Sequence, residues 1–167
     1  MIILAIDPGP LESAYVVWDG ERIREKGKLQ NDEMREWLLA YLQLRIRVTG
    51  IPPLLWIEMI ASYGMPVGAE VFETCVWIGR FMEGWWNYGG GLTYRLKRKE
   101  IVMHLCGSAR AKDANVRQAL LDRVGPQGTK KEPGPTYGVS GDIWAALAVA
   151  VTAWDKLHEP NGAGNPS

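Results

Sequence analysis

The chain has 167 residues, of which 47% are hydrophobic and 23% charged, with 19 basic and 19 acidic side chains. This composition predicts one globular domain with a sizeable core and excludes an intrinsically disordered chain. No apolar run approaches the roughly 20 residues that cross a bilayer, and the start of the sequence shows no secretory signal pattern. The two cysteines, Cys75 and Cys106, favour reduced thiols, so we expect a cytoplasmic protein.

The net charge of zero hides an uneven distribution along the chain. Residues 95–131 carry ten Lys or Arg against three acids, whereas the remainder carries nine against sixteen. This asymmetry predicts a basic face beside an acidic site, although a solvated helix surface would give the same count.

The first predicted element is a strand that leads into a carboxylate. Five apolar residues at positions 2–6 indicate a strand buried on both faces, and Asp7 follows directly. Pro8 and Gly9 then turn the chain, since Gly9 can adopt a positive φ or admit a close neighbour. A buried ionised carboxylate needs a partner or a metal, so Asp7 is a candidate site residue. A polar residue that only starts a turn is the alternative.

The next elements place a second acid beside the first. Residues 13–18 and 22–29 predict two strands joined by a hairpin at Asp19 and Gly20. A helix capped by Asn31 or Asp32 should run to about residue 48, followed by a strand at 54–57 that ends in Glu58. A crossover from the first strand to this one would place the two acids at neighbouring positions. Two paired carboxylates favour a magnesium or manganese ion between them.

The second half of the chain is predicted to be mainly helical. We expect a long helix at 69–87, a short strand at 92–95, and helices at 97–106 and 112–124. A glycine- and proline-rich loop fills 125–138. A last helix, capped by Ser140, should begin at 141 or 142, so that Asp142 lies at its start. Residues 1–158 would form the domain, and 159–167 are expected to be a disordered tail.

Several segments resemble the RuvC family of Holliday-junction resolvases, particularly its bacteriophage branch. The matching segments are residues 4–9 (LAIDPG), 57–59, 97–99, 112–117 and 141–148 (GDIWAALA), and 61–81 also looks like the phage members. The resemblance extends to about Trp154. It implies the RNase H-like fold, an α/β architecture with a mixed five-stranded sheet flanked by helices.

The resemblance also implies an activity and its residues. Asp7, Glu58 and Asp142 match three catalytic acids that would bind two Mg²⁺ or Mn²⁺ ions, with Asp7 shared between them. Two such ions can activate a water and stabilise the leaving 3′ oxygen in phosphodiester hydrolysis. The implied enzyme is an endonuclease that resolves Holliday junctions, with other branched DNA as a further substrate class.

One position departs from the family pattern and puts the second ion in question. Family members usually carry an acid or His three residues before the last Asp, where this chain has Val139. Asp113 or Glu132 could supply the missing ligand, but their spacing does not decide this.

The implied partners are branched DNA and a second copy of the chain. The DNA-contact candidates are Lys97, Arg98, Lys99, Lys112 and Arg117, with Tyr63 as a residue that could stack on a base. Symmetric cutting of two strands implies a homodimer. The helix at 69–87 is the candidate interface because Trp77, Trp85 and Trp86 give it more apolar surface than one buried face needs.

Three alternatives remain open. An actin-like sugar kinase or ATPase shares the strand-Asp-x-Gly opening but needs more chain and glycine-rich phosphate loops. A catalytically silent DNA-binding member of the fold is the second, and Val139 is the feature that keeps it open. A related nuclease with a different branched-DNA preference is the third, and the sequence does not separate it from a strict junction resolvase.

Overall fold

A computed structural model of the protein describes residues 1–62 and 64–159. The strands are β1 Ile3–Asp7, β2 Glu12–Trp18, β3 Ile23–Gln30, β4 Leu54–Met59 and β5 Thr93–Lys97. The helices are α1 Asn31–Thr49, α2 Ala69–Asn87, α3 Arg98–Cys106, α4 Asp113–Val124 and α5 Ile143–His158. The predicted order of elements is confirmed, and most boundaries differ by one or two residues. Within the described ranges, no helix is long and apolar enough to span a bilayer.

The strands form one mixed sheet in the order β3-β2-β1-β4-β5. β1 pairs with β2, and β2 with β3, in antiparallel fashion, whereas β1–β4 and β4–β5 are parallel. The predicted meander followed by a crossover to a parallel strand is therefore confirmed. β1 lies at the centre, and Ile3 to Ile6 have no exposed surface, as expected for a strand covered on both faces.

Alternate residues of the strands enter two separate cores. Leu4 and Ile6 face α1 and α2, where Phe81 and Trp85 fill the layer. Ala5 points to the opposite face, which α3, α4 and α5 cover. α5 is buried around most of its circumference because it lies directly across β1 and β2. A residue's position in a strand therefore decides which helices it meets.

Two predicted helix caps are wrong. Asn31 is the first residue of α1, and its side chain bonds to the β1–β2 region instead of capping the helix. Ser140 does not cap α5 with its side chain; the helix begins at Ile143, and Asp142 is its N-cap residue. Gly141, with φ of +50°, turns the chain immediately before it, a conformation that side-chain-bearing residues rarely adopt.

The tryptophans of α2 are distributed differently from the prediction. Trp85 is fully buried and Trp77 nearly so, both within the core that α2 shares with the sheet. Only Trp86, 72% exposed, remains available to a second copy. The helical periodicity indicated excess apolar surface on α2. Two of its three tryptophan rings, however, are buried against the sheet.

Candidate active site

A row of residues crosses the sheet at the end of β1 and sets the geometry of the site. Ile6 pairs with Ile57, so Asp7 and Glu58 are the next neighbours in the parallel register, on strands about 4.8 Å apart. Asp7 pairs with Ala14 on β2, and Ala14 pairs with Lys28 on β3. By strand alternation these side chains share the face that packs against α5.

Asp142 reaches the same place from α5. As the N-cap residue of this helix, it lies over the end of β1 and borders a cleft of about 260 Å³. The cleft is lined by Asp7, Glu58, Arg98, Asp113, Val116, Arg117, Gly141, Asp142, Trp144 and Ala145. The structure thus places the three predicted acids along one cleft, although they come from three elements far apart in sequence.

A network of polar contacts holds the turn after Asp7. Ser13 Oγ donates to Asn31 Oδ1 at 2.6 Å, and Asn31 Nδ2 donates to the Gly9 carbonyl at 2.9 Å. A Cβ on Gly9 would lie 2.5 Å from the Glu12 carbonyl oxygen, so a close approach, and not a positive φ, requires glycine here. Asn31 and Ser13 are both buried. The turn, and with it the end of β1, is therefore rigidly placed.

The electrostatics of Asp7 are those of a buried carboxylate among like charges. Burial, followed by the charges of Glu58 and Asp142, raises the pKa of Asp7 from 3.8 to about 8, against smaller opposing effects of Arg98 and Lys28. Burial also raises the pKa of Glu58, with Arg98 opposing and Asp113 adding to the shift. Without a cation, the site therefore disfavours full ionisation.

Glu58 has a buried oxygen without a partner. Its Oε2 atom makes no hydrogen bond within the described residues, and the Arg98 guanidinium stays 4.0 Å away. An unsatisfied buried carboxylate oxygen beside a second buried carboxylate fits a hard divalent cation, which would satisfy both. Asp7 and Glu58 are the residues that could hold it, because magnesium often uses one or two carboxylates and keeps several waters.

The third acid is already engaged by a residue that the sequence analysis missed. Lys28 Nζ lies 2.8 Å from Asp142 Oδ2 and 3.0 Å from Glu12 Oε2. These hydrogen bonds, first that to Asp142 and then that to Glu12, raise the pKa of Lys28. Across residues 1–62 and 64–159, no three His, Cys, Asp or Glu side chains are grouped closely enough to hold an ion. Lys28 gave no sequence signal because it is one of several basic residues on this strand, after Arg24 and Lys26.

The candidates for a fourth ligand lie at different distances from the cleft. Val139 is buried in the core beneath α5 and does not line the cleft. Asp113, at the start of α4, does line it and pairs with Arg98. Glu132 lies in the 125–138 loop, where its backbone N–H donates to Thr129 Oγ1 at 3.1 Å, and it is not part of the cleft lining.

The predicted DNA-contact residues fall into separate groups. Arg98 and Arg117 line the acidic cleft, and Arg117 lies 5.1 Å from the centre of the Trp144 ring. Lys97 and Lys99 line a neighbouring groove on α3, with Glu100 and Met103. Lys112 is exposed at the N-cap of α4. Tyr63 lies outside the described residues.

Comparison with known proteins supports the fold. The sequence matches no protein-family model, and no curated protein matches it. The structure of Thermus thermophilus RuvC matches with a TM-score of 0.66 at 19% identity, over 95% of this chain and 96% of that chain. T. thermophilus RuvC in complex with Holliday junction substrate matches with 0.65 at 19% identity, over 93% and 94%. At this identity the likeness establishes the fold, and the expected RNase H-like α/β architecture is confirmed.

The raised pKa of Asp7 predicts an unusual dependence of stability on pH. Between about pH 4 and 8 the folded protein retains a proton that the unfolded chain has released, so this group makes stability fall as pH rises. Asp7→Asn should therefore stabilise the metal-free protein at pH 8 by ~2–5 kcal/mol and flatten the profile. Urea unfolding in EDTA from pH 5 to 8 measures this.

Asp122→Asn is the matched control, since it removes one exposed carboxylate from α4. Equal pH profiles for wild type and Asp7→Asn would contradict the burial of an ionisable group at this position.

Proposed function

We propose that this protein is a metal-dependent endonuclease that cuts branched DNA, with the four-way Holliday junction as its principal substrate. The observation that carries the proposal is the pair of buried carboxylates, Asp7 and Glu58, beside Asp142 at the edge of a RuvC-like sheet. A solved protein of the same fold is in complex with Holliday junction substrate, which supports this substrate class over linear DNA.

The proposed reaction is hydrolysis of one phosphodiester bond per strand. A Mg²⁺ or Mn²⁺ ion held by Asp7 and Glu58 would supply activation of the water and neutralisation of the phosphate charge. The water oxygen would bond to phosphorus as the P–O3′ bond breaks. The water releases one proton to solvent and the departing O3′ takes one up from solvent, which leaves a 5′-phosphate and a 3′-hydroxyl. Arg98 and Arg117, which border the cleft, would bind the phosphate oxygens in the reacting orientation.

DNA affinity would come from the basic residues around the cleft. Lys97 and Lys99 lie on the groove beside α3, and Lys112 is exposed at the start of α4. Their contacts would be with phosphates, which position a substrate without reading its sequence. Acidic and basic residues thus have distinct roles. The acids would take part in the hydrolysis, and the basic rim, formed by Lys97, Lys99 and Lys112, would offset the repulsion between the acids and DNA.

We further propose that the protein acts as a homodimer through α2. The outer side of this helix carries Phe72, Val76 and Trp86, which are 63%, 49% and 72% exposed. Gly79 lies between them, with open space where a Cβ would be, so a second helix could approach closely. A twofold pairing would present two clefts to the two strands of a junction.

The setting that we propose is the reducing cytoplasm of a bacterial host, with the chain encoded by a bacteriophage. Two observations support this setting: both cysteines are free thiols, and several segments resemble those of phage resolvases.

A catalytically silent DNA-binding protein is the competing proposal. The contact between Lys28 and Asp142 favours it, because an acid already paired with an ammonium is a weaker metal ligand. Cleavage of any branched DNA in the presence of magnesium would exclude it.

Removal of a proposed ligand of the ion gives the sharpest test of activity. Asp7→Asn and Glu58→Gln should each lower the cleavage rate by more than about 100-fold, since each removes a proposed ligand of the ion. Junction binding in EDTA should persist or improve because a negative charge is lost. The assay is single-turnover cleavage of matched four-way, three-way, flap and linear DNA with Mg²⁺ or Mn²⁺. Asp122→Asn is the control, and retention of activity by Asp7→Asn would refute the assignment.

The basic rim should determine how binding depends on salt. Lys97→Ala combined with Lys99→Ala should reduce the slope of log K against log[salt] by about two units, one for each lost phosphate contact. The affinity for all DNA shapes should fall together. Arg47→Ala with Lys156→Ala removes the same charge from the C-terminal turns of α1 and α5. Equal slopes in the two double variants would mean that the α3 groove does not contact DNA.

The dimer proposal predicts a change of mass on a single substitution. Trp86→Glu should convert the protein to monomers at micromolar concentration, because it places a charge in the proposed apolar contact. Sedimentation velocity measures the change, with Leu157→Glu on α5 as the control on the opposite side of the sheet. A monomeric wild type, or a Trp86→Glu dimer, would rule out this interface.

A further inference from the structure

We infer that the ammonium group of Lys28 takes the place of a second divalent cation, so that the site works with one ion and one lysine. This inference rests on the proposed nuclease function and deepens it. It concerns the third acid, Asp142, which the resemblance assigns to a second ion.

The sheet register brings Lys28 to this position. Lys28, Ala14, Asp7 and Glu58 lie side by side on four adjacent strands and project to the same face. Ala14 is the only residue between Lys28 and Asp7 in this row, and its methyl group leaves a path above the sheet. A four-carbon side chain from the edge strand can therefore reach the N-terminus of α5, where Asp142 lies.

The contacts of Lys28 leave a second ion without ligands. Asp142 Oδ2 and Glu12 Oε2 both approach the same ammonium, at 2.8 and 3.0 Å. A divalent ion beside Asp142 would have to displace this ammonium or accept a like charge as a close neighbour. Because the Lys28 and Asp142 side chains are 40% and 55% exposed, water screens part of that repulsion. Val139, buried in the core, offers no further carboxylate in compensation. Magnesium, which gives up its waters reluctantly, would gain little at such a position.

The same contacts leave Lys28 able to act on a substrate. An ammonium has three donors, and Asp142 and Glu12 use two of them. No other acid among the described residues pairs with this ammonium, so the third donor could bind a phosphate oxygen as DNA enters the cleft. Lys28 would then provide one fixed positive charge on the Asp142 side of the phosphate, opposite the ion held by Asp7 and Glu58.

The number of bound ions tests the inference without reference to activity. Isothermal titration and EPR of Mn²⁺ should give one ion per wild-type chain and two per Lys28→Ala chain, the second held by Asp142. Lys28→Arg should keep the count at one because the charge is retained. Lys28→Ala combined with Asp142→Asn should return it to one.

Lys26→Ala is the matched control. Lys26 lies two residues earlier on the same face of β3, next to Gly138, and forms no ion pair within the described residues. Its count should stay at one. Circular dichroism shows whether each variant is folded.

The outcomes separate this inference from the proposed function. Two ions in wild type, or one in folded Lys28→Ala, would overturn the role of Lys28 while junction cleavage remains intact. A wild type that neither binds Mn²⁺ nor cuts any branched DNA would overturn the nuclease proposal, and this inference with it.

Discussion

The structure depends on placing two carboxylates, Asp7 and Glu58, next to each other at the buried edge of a sheet. Neighbouring parallel strands bring them within a few ångströms, and burial denies them the water that would normally screen their repulsion. This arrangement destabilises the metal-free protein, and it lies at the end of β1, whose residues Ile3 to Ile6 are fully buried. Two sets of contacts fix the geometry around these carboxylates. They are the Ser13–Asn31 network on one side and the packing of α5 on the other.

Positive charge is distributed around these acids in two ways. Arg98 lies 4.0 Å from Glu58, and Lys28 lies 2.8 Å from Asp142, whereas Lys97 and Lys99 line a separate groove at the start of α3. The first arrangement opposes the rise in the pKa of Asp7, and the second is the one that we propose contacts DNA. A single count of basic residues cannot distinguish these roles, because both groups contribute equally to net charge.

The helices form two groups, one on each face of the sheet, because alternate strand residues point to opposite faces. α1 and α2 cover one face of the sheet, and α2 keeps an apolar outer side with Trp86. α3, α4 and α5 cover the other face and supply Arg98, Asp113 and Asp142 to the cleft. A proposed interface and a proposed active site therefore occupy opposite faces, so contact between copies would leave the cleft free.

The sequence alone determined the order of elements, the mixed sheet and the three acids, because each leaves a local mark. Apolar runs end in Asp7 and Glu58, and Asp142 precedes a long apolar helix. Tertiary structure decided what lies next to these acids. Lys28 becomes a partner of Asp142 only through the register of three strands, and Val139 is excluded from the cleft only by the packing beneath α5. Such contacts join residues more than a hundred positions apart, and no local pattern encodes the direction in which a side chain points across a sheet.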